Sequence, residues 1–136
     1  MNNKQLFEKN DYDNDSEWEM MNKQLFGKVD YNNDPEWVMK EFFNSIYLQR
    51  KFLWALPFIV KKCGCCVNET DCTFPDLEDS DPAYHFEGIM FSVYSGEIIV
   101  PESVGFEYVR MACEKYLQLH PEDADQVNSL LTQLPC

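Results

Sequence analysis

Between Lys62 and Arg110 the chain has no lysine and no arginine, although ten Asp and Glu residues fall in that stretch. A surface built from it cannot track a phosphate backbone, because nucleic-acid affinity rests on cations that displace condensed counterions. The whole chain carries 24 acidic against 11 basic residues and a formal charge of -13, which excludes nucleic acid and anionic membranes as partners over most of its surface. Long apolar runs are also missing. The longest, Phe52 to Val60, is nine residues and contains Pro57, well short of the roughly 20 that cross a bilayer. The start, MNNKQLFEKN, lacks the apolar stretch of a secretory leader, so the expected location is the cytoplasm.

Catalytic chemistry is poorly supplied. There are two histidines, His85 and His120, and nothing basic accompanies the cysteine cluster after Lys61 and Lys62 to activate a thiol. The five glycines form neither a phosphate loop nor a dinucleotide fingerprint, and DLEDSDPAY lacks the glycine and the terminal glutamate of a calcium loop. Carboxylate pairs are abundant, but no apolar pocket that would raise the pKa of one of them is legible. The expectation is a protein without enzymatic activity and without a cofactor.

What is present points to a folded binding domain. In 136 residues, 45% hydrophobic and 15% aromatic content suffices for one core and excludes an acidic disordered tail. Nine of the eleven basic residues lie at or before Lys62, whereas acids continue to Asp125. Segregation of this kind aims a negative field at a basic partner. The six cysteines include a cluster at Cys63, Cys65, Cys66 and Cys72. In a cytoplasmic chain they are expected as free thiols, and Cys-x-Cys-Cys-x5-Cys matches no zinc-knuckle spacing, so no metal is expected.

An internal repeat opens the chain. Asn3 to Met20 recurs at Asn22 to Met39 with 13 of 18 positions identical. Two copies are too few for a solenoid. The second is the better helix start, with Asp34 and Pro35 as cap and first turn and Val38 on the apolar side where the first copy has Glu19. Residues 1–29 are therefore expected as a weakly ordered, duplicated extension, and residues 30–136 as a single domain. A docking role for Phe7 and Trp18 in the first copy is the less favoured alternative.

From Pro35 onward Val38, Met39, Phe42, Phe43 and Ile46 share one helical face. A second helix, Arg50 to Lys62, is apolar nearly all round, kinked or interrupted at Pro57, and expected among the most buried elements. Residues 63–83 read as a long acidic connection with at most one short strand near Cys72 to Phe74. Phe86 to Val100 reads as a hairpin turning at Ser95-Gly96. Two helices follow, Glu102 to His120 and one from Pro121 carrying Val127, Leu130, Leu131 and Leu134. The expected class is α+β: an N-terminal helical pair, a small antiparallel sheet with a hairpin near 86–100, and a C-terminal helical pair.

The segments DPEWVMKEFFNSIY, EGIMFSVYSGEIIVPE and FEYVRMACEKYLQLHPEDADQVNSLL, with a CTFPD turn between the first two, resemble the ribonuclease-toxin immunity proteins of bacterial contact-dependent growth inhibition systems. The likeness runs from Asp34 to Leu134, and the N-terminal duplication departs from it. It implies a non-enzymatic protein, monomeric or weakly dimeric, that binds the C-terminal nuclease domain of its cognate CdiA toxin and masks the active site. Charge agrees independently, since carboxylates can stand where RNA phosphates would sit and complementary fields speed encounter. The expected toxin-binding residues are Asp76, Glu78, Asp79, Asp81, Glu87, Glu97 and Glu102, with Tyr84 and Tyr94 as aromatic anchors. An acidic adaptor or regulator of another basic protein shares every compositional feature and is the alternative.

Overall fold

A computed structural model describes residues 25–134. Helices α1 (Trp37–Leu48) and α2 (Phe52–Val60) come first, then strands β1 (Cys65–Val67) and β2 (Thr70–Thr73). A 3-10 turn at Pro82–Tyr84 leads to β3 (Ile89–Val93) and β4 (Gly96–Val100). The chain closes with α3 (Glu102–Leu119), a 3-10 turn at Pro121–Asp123 and α4 (Ala124–Leu131). The class is α+β, in the expected order of helices, sheet, helices.

The sheet is a four-stranded antiparallel meander in the order β1-β2-β3-β4. Period-two alternation divides it into two faces. Val67, Cys72, Ile89, Phe91, Val93 and Val100 point inward and are buried. Against them α1 lays Val38, Met39, Phe42, Phe43 and Ile46, all buried, as their helical spacing predicts. Phe42 meets Phe43 and Phe91 edge-on at centroid distances of 5.0 and 5.1 Å. Edge-on contact aligns each ring's positive rim with its neighbour's negative face, adding about 0.5–1.5 kcal/mol per pair beyond area burial.

Two expectations are corrected here. Residues 65–73 form a hairpin where at most one strand near Cys72 was expected, because Asn68 takes φ 56° and makes a two-residue turn with Glu69. The other hairpin turns at Tyr94-Ser95, one residue earlier than expected, and Gly96 belongs to β4. A Cβ on Gly96 would lie 2.9 Å from the Trp37 ring, so glycine there admits the close approach of α1. Gly88 is more tightly bound to glycine: its φ is 103°, and a Cβ would sit 2.0 Å from the Val100 carbonyl oxygen.

Helix α2 is shorter than the sequence suggests and runs through Pro57. It is also less buried. Phe52, Ala55, Leu56, Ile59 and Val60 face the core, but Trp54 and Phe58 are 47% and 39% exposed. Both α1 and α2 end in the same way. The N–H of Arg50 donates to Tyr47 O and that of Lys51 to Ile46 O, while Lys62 donates to Ile59 O and Cys63 to Phe58 O. These are Schellman closures, and the residue in the left-handed position is Arg50 (φ 62°) in one and Lys62 (φ 61°) in the other. Glycine would relieve about 1 kcal/mol of strain at each.

Packing begins, within the described residues, at Leu25, inside the segment assigned to the extension from sequence. Leu25 and Val29 are buried, and Phe26 lies against Tyr108 and Phe43. The buried Asn44 amide holds the strap on both sides, accepting from Phe26 N–H at 2.8 Å and donating to Gly27 O at 3.0 Å. Gly27 has φ 64°. The first repeat copy has Glu8, Asn10 and Glu19 where the second has Gly27, Val29 and the buried Val38. Copy two thus carries the residues this geometry requires. Phe7, Trp18 and the rest of copy one lie outside the described residues.

Candidate functional site: an open sheet face beside an acidic loop

Among the described residues, helices cover only the inner face of the sheet. On the outer face the strand register makes two cross-sheet rows, Cys66, Asp71, Ser92, Glu97 and Thr73, Met90, Ile99. Glu97 and Ile99 are exposed, the latter to 47%. At one end, Tyr94 projects from the β3–β4 turn and is 83% exposed. A strip of mixed apolar, polar and acidic residues with an unburied aromatic ring at its end has the make-up of a recognition surface.

The acidic loop lies beside the β1–β2 hairpin. It is built of three successive Asx turns, in which a side-chain oxygen accepts from the backbone N–H two residues ahead: Asp76 from Glu78 at 3.1 Å, Asp79 from Asp81 at 2.8 Å, and Asp81 from Ala83 at 3.0 Å. The Asp76 N–H donates to Tyr84 O at 2.9 Å, and the His85 ring donates from Nε2 to Asp79 O at 2.6 Å. That bond fixes the proton on Nε2, because a carbonyl oxygen only accepts. Each turn uses Oδ1 and, among the described residues, leaves Oδ2 without a protein donor. The loop therefore presents its acids in a fixed array.

The structure brings only some of the nine expected residues together. Asp76, Asp79 and Tyr84 border one groove of about 570 Å³, which Asp71, Thr73 and the Cys63–Cys66 segment also line. Asp81 and Glu78 are exposed on the same loop, and Glu97 and Tyr94 belong to the outer sheet face. Glu87 is exposed ahead of β3. Glu102, in the first turn of α3, instead forms an ion pair with Lys62 at 3.1 Å. Lys62 is the one cation lining the groove, and this pair partly offsets its charge. Asp71 was missed, although its place between the buried Thr70 and Cys72 marks it as outward-facing.

No catalytic grouping is assembled among the described residues. Burial pushes the thiols of Cys65 and Cys113 up to about 12 and that of Cys72 well above its ordinary value. Such thiols stay protonated and unreactive at neutral pH. Cys66 is also raised, first by its hydrogen bond with Asp71. Neither histidine hydrogen-bonds a thiol among the described residues: His85 is held by the acidic loop, and His120 Nε2 meets Tyr47 OH at 2.9 Å. Among the described residues, the cysteines do not converge as metal ligands. Among the described residues, the one group with suitably close donor atoms is His120, Glu122 and Asp123, whose atoms already bond Tyr47, Tyr116 and one another. No helix among them is long and apolar enough to cross a membrane.

Among the described residues, the domain is α+β, with an acidic loop at the margin of a sheet face that no described helix covers. The comparison with protein families is specific: the family model for CDI immunity proteins matches residues 35–131. The chain belongs to that family. A search of curated proteins returned no match.

Proposed function

We propose that this immunity protein neutralises its cognate toxin by laying the outer sheet face and the Asp76–Tyr84 loop over a basic, RNA-cutting active site. The toxin is the C-terminal ribonuclease domain of a CdiA protein, the complex forms in the cytoplasm, and the inhibitor performs no chemistry of its own. The observation that carries the reading is the loop itself. Three aspartates, each tied by one oxygen to the backbone, keep the other oxygen without a protein donor among the described residues, beside a sheet face that no described helix covers. Their array can meet the cations that would otherwise hold RNA phosphates, and its rigidity limits the ordering entropy lost on binding.

Glu97, Asp71 and Glu87 extend the acidic field across the sheet, and Tyr94 and Tyr84 supply apolar area at its ends. Long-range attraction sets the rate of capture, and the tyrosines with Met90 and Ile99 set the lifetime of the complex. Glu102 contributes less than the loop acids, because Lys62 is its partner.

The test is co-expression with the toxin domain encoded beside this gene. Growth rescue, co-purification and loss of RNA cleavage in the complex are expected, and a chain lacking residues 1–20 should neutralise as well as the full chain. Rescue without co-purification, or a toxin that leaves RNA intact, would contradict the reading.

A further inference from the structure

At the end of the molecule where α1, α2 and α3 meet the α3–α4 turn lies a cavity of about 210 Å³, lined by Tyr47, Arg50, Phe52, Leu53, Tyr116 and His120. Its walls are flat rings in series. Phe52 stacks on Tyr116 with centroids 4.4 Å apart and planes 8° from parallel, and Tyr116 stacks on His120 at 4.7 Å and 29°. The rings are held from outside the cavity lining: Tyr116 OH donates to Asp123 at 2.7 Å, and Glu122 approaches His120 Nδ1 at 3.3 Å. Neither carboxylate lines the space.

The one charged group that lines it is Arg50. Its guanidinium has no hydrogen bond, ion pair or ring contact among the described residues, in a chain with an acid excess of 24 over 11. Arg50 also holds the left-handed position of the α1 closure, where glycine is the comfortable residue. A cation for the helix dipole does not account for it, because the adjacent Lys51 supplies one without a positive φ. An exposed guanidinium with no partner among the described residues, held at the cavity mouth by a strained backbone position, is available to a ligand.

We infer that this cavity binds a single planar ring bearing a carboxylate, the ring packed against the stack of Phe52, Tyr116 and His120 and the carboxylate on Arg50. Size limits the ligand. An apolar cavity of about 150 Å³ accommodates benzene, so this one admits a ring with a short substituent and excludes a dinucleotide. Arginine suits the anionic end because its fork matches both carboxylate oxygens. The same chemistry is offered by a small aromatic acid and by a polypeptide that ends in an aromatic residue.

The test is titration of the full chain with phenylacetate, N-acetylphenylalanine and the cationic isostere phenethylammonium, followed by NMR shifts of the Tyr47, Tyr116 and His120 rings and by calorimetry. Saturable binding of an acid, with no binding of the ammonium compound, is expected. Preference for phenylacetate would identify the free acid as the ligand type, and preference for N-acetylphenylalanine the chain terminus. Arg50→Gly should raise Tm by a few degrees and weaken acid binding at least tenfold. Arg50→Asn, which tolerates a positive φ without the charge, should weaken it equally. Failure of both acids at millimolar concentration, equal binding of phenethylammonium, or unchanged affinity in Arg50→Gly would overturn the assignment.

Discussion

Two of the surfaces with exposed aromatic rings among the described residues differ in charge. The sheet face and its loop carry Tyr94, Tyr84 and a set of acids between Glu69 and Glu97 with no lysine or arginine among them. The outer side of α2 carries Trp54 and Phe58, 5.1 Å apart, with the Lys51 ammonium 5.8 Å from the Trp54 ring. Tryptophan is the stronger anchor by area, so a reading from aromatic rings alone would choose α2. A basic partner reverses the choice. It is drawn to the acidic sheet face from a distance and meets Lys51, Lys61 and Lys62 around α2. On the proposed function, charge selects the surface, and rings consolidate a contact that charge has already oriented.

The comparison can be broken most severely at Gly88. A methyl group there would meet the Val100 carbonyl, so Gly88→Ala should destabilise the domain by about 3 kcal/mol or more and disorder the β3–β4 face, measured by denaturant unfolding. Toxin binding should fall with it while the α2 face is less affected. Next comes the combined Asp76→Lys, Glu78→Lys and Asp79→Lys variant. It should fold normally and slow toxin association about a hundredfold at low salt, with most of the salt dependence gone in stopped-flow measurements. Tyr94→Ala should weaken binding by about 2 kcal/mol, chiefly through faster dissociation. Trp54→Ala and Phe58→Ala should change affinity by less than about 0.5 kcal/mol by calorimetry. The reverse pattern would transfer the site to α2.

The smallest effect is a matter of pH. Cys65 and Cys113 have folded-state values of about 12 against an ordinary 9.0, so the neutral thiol is the form the fold favours. Their contribution to stability is complete below about pH 9 and is lost progressively as pH rises toward 12, because the unfolded chain releases those protons first. Tm should decline over that window. In native protein at pH 8, an alkylating reagent should modify exposed Cys63 and leave Cys65, Cys72 and Cys113 intact until unfolding.

Much of this architecture could be read from residue spacing. The 3.6-residue rhythm of Val38 to Ile46 and the two-residue rhythm of Ile89 to Val93 each mark a face, and burial follows those faces. The β1–β2 hairpin escaped because its inward residues, Cys65, Val67, Thr70 and Cys72, are small or polar and resemble a loop by composition. Exposure of Trp54 and Phe58 was hidden for the opposite reason, since a helix apolar on every side gives no hint of which side its neighbours leave bare. Of the candidate site, the loop acids and Tyr94 were legible as a charge run and a turn residue. The pairing of Glu102 with Lys62, 40 residues away, was not, because it depends on how α2 and α3 pack.

The central claim is that the acidic sheet face is the surface that meets the toxin. Hydrogen–deuterium exchange of the free protein and of its complex tests it directly. New protection is predicted in the β3–β4 hairpin and in the Asp76–Tyr84 loop, with Phe52–Val60 unchanged. Protection confined to α2, with the hairpin and loop exchanging as in the free protein, would contradict it.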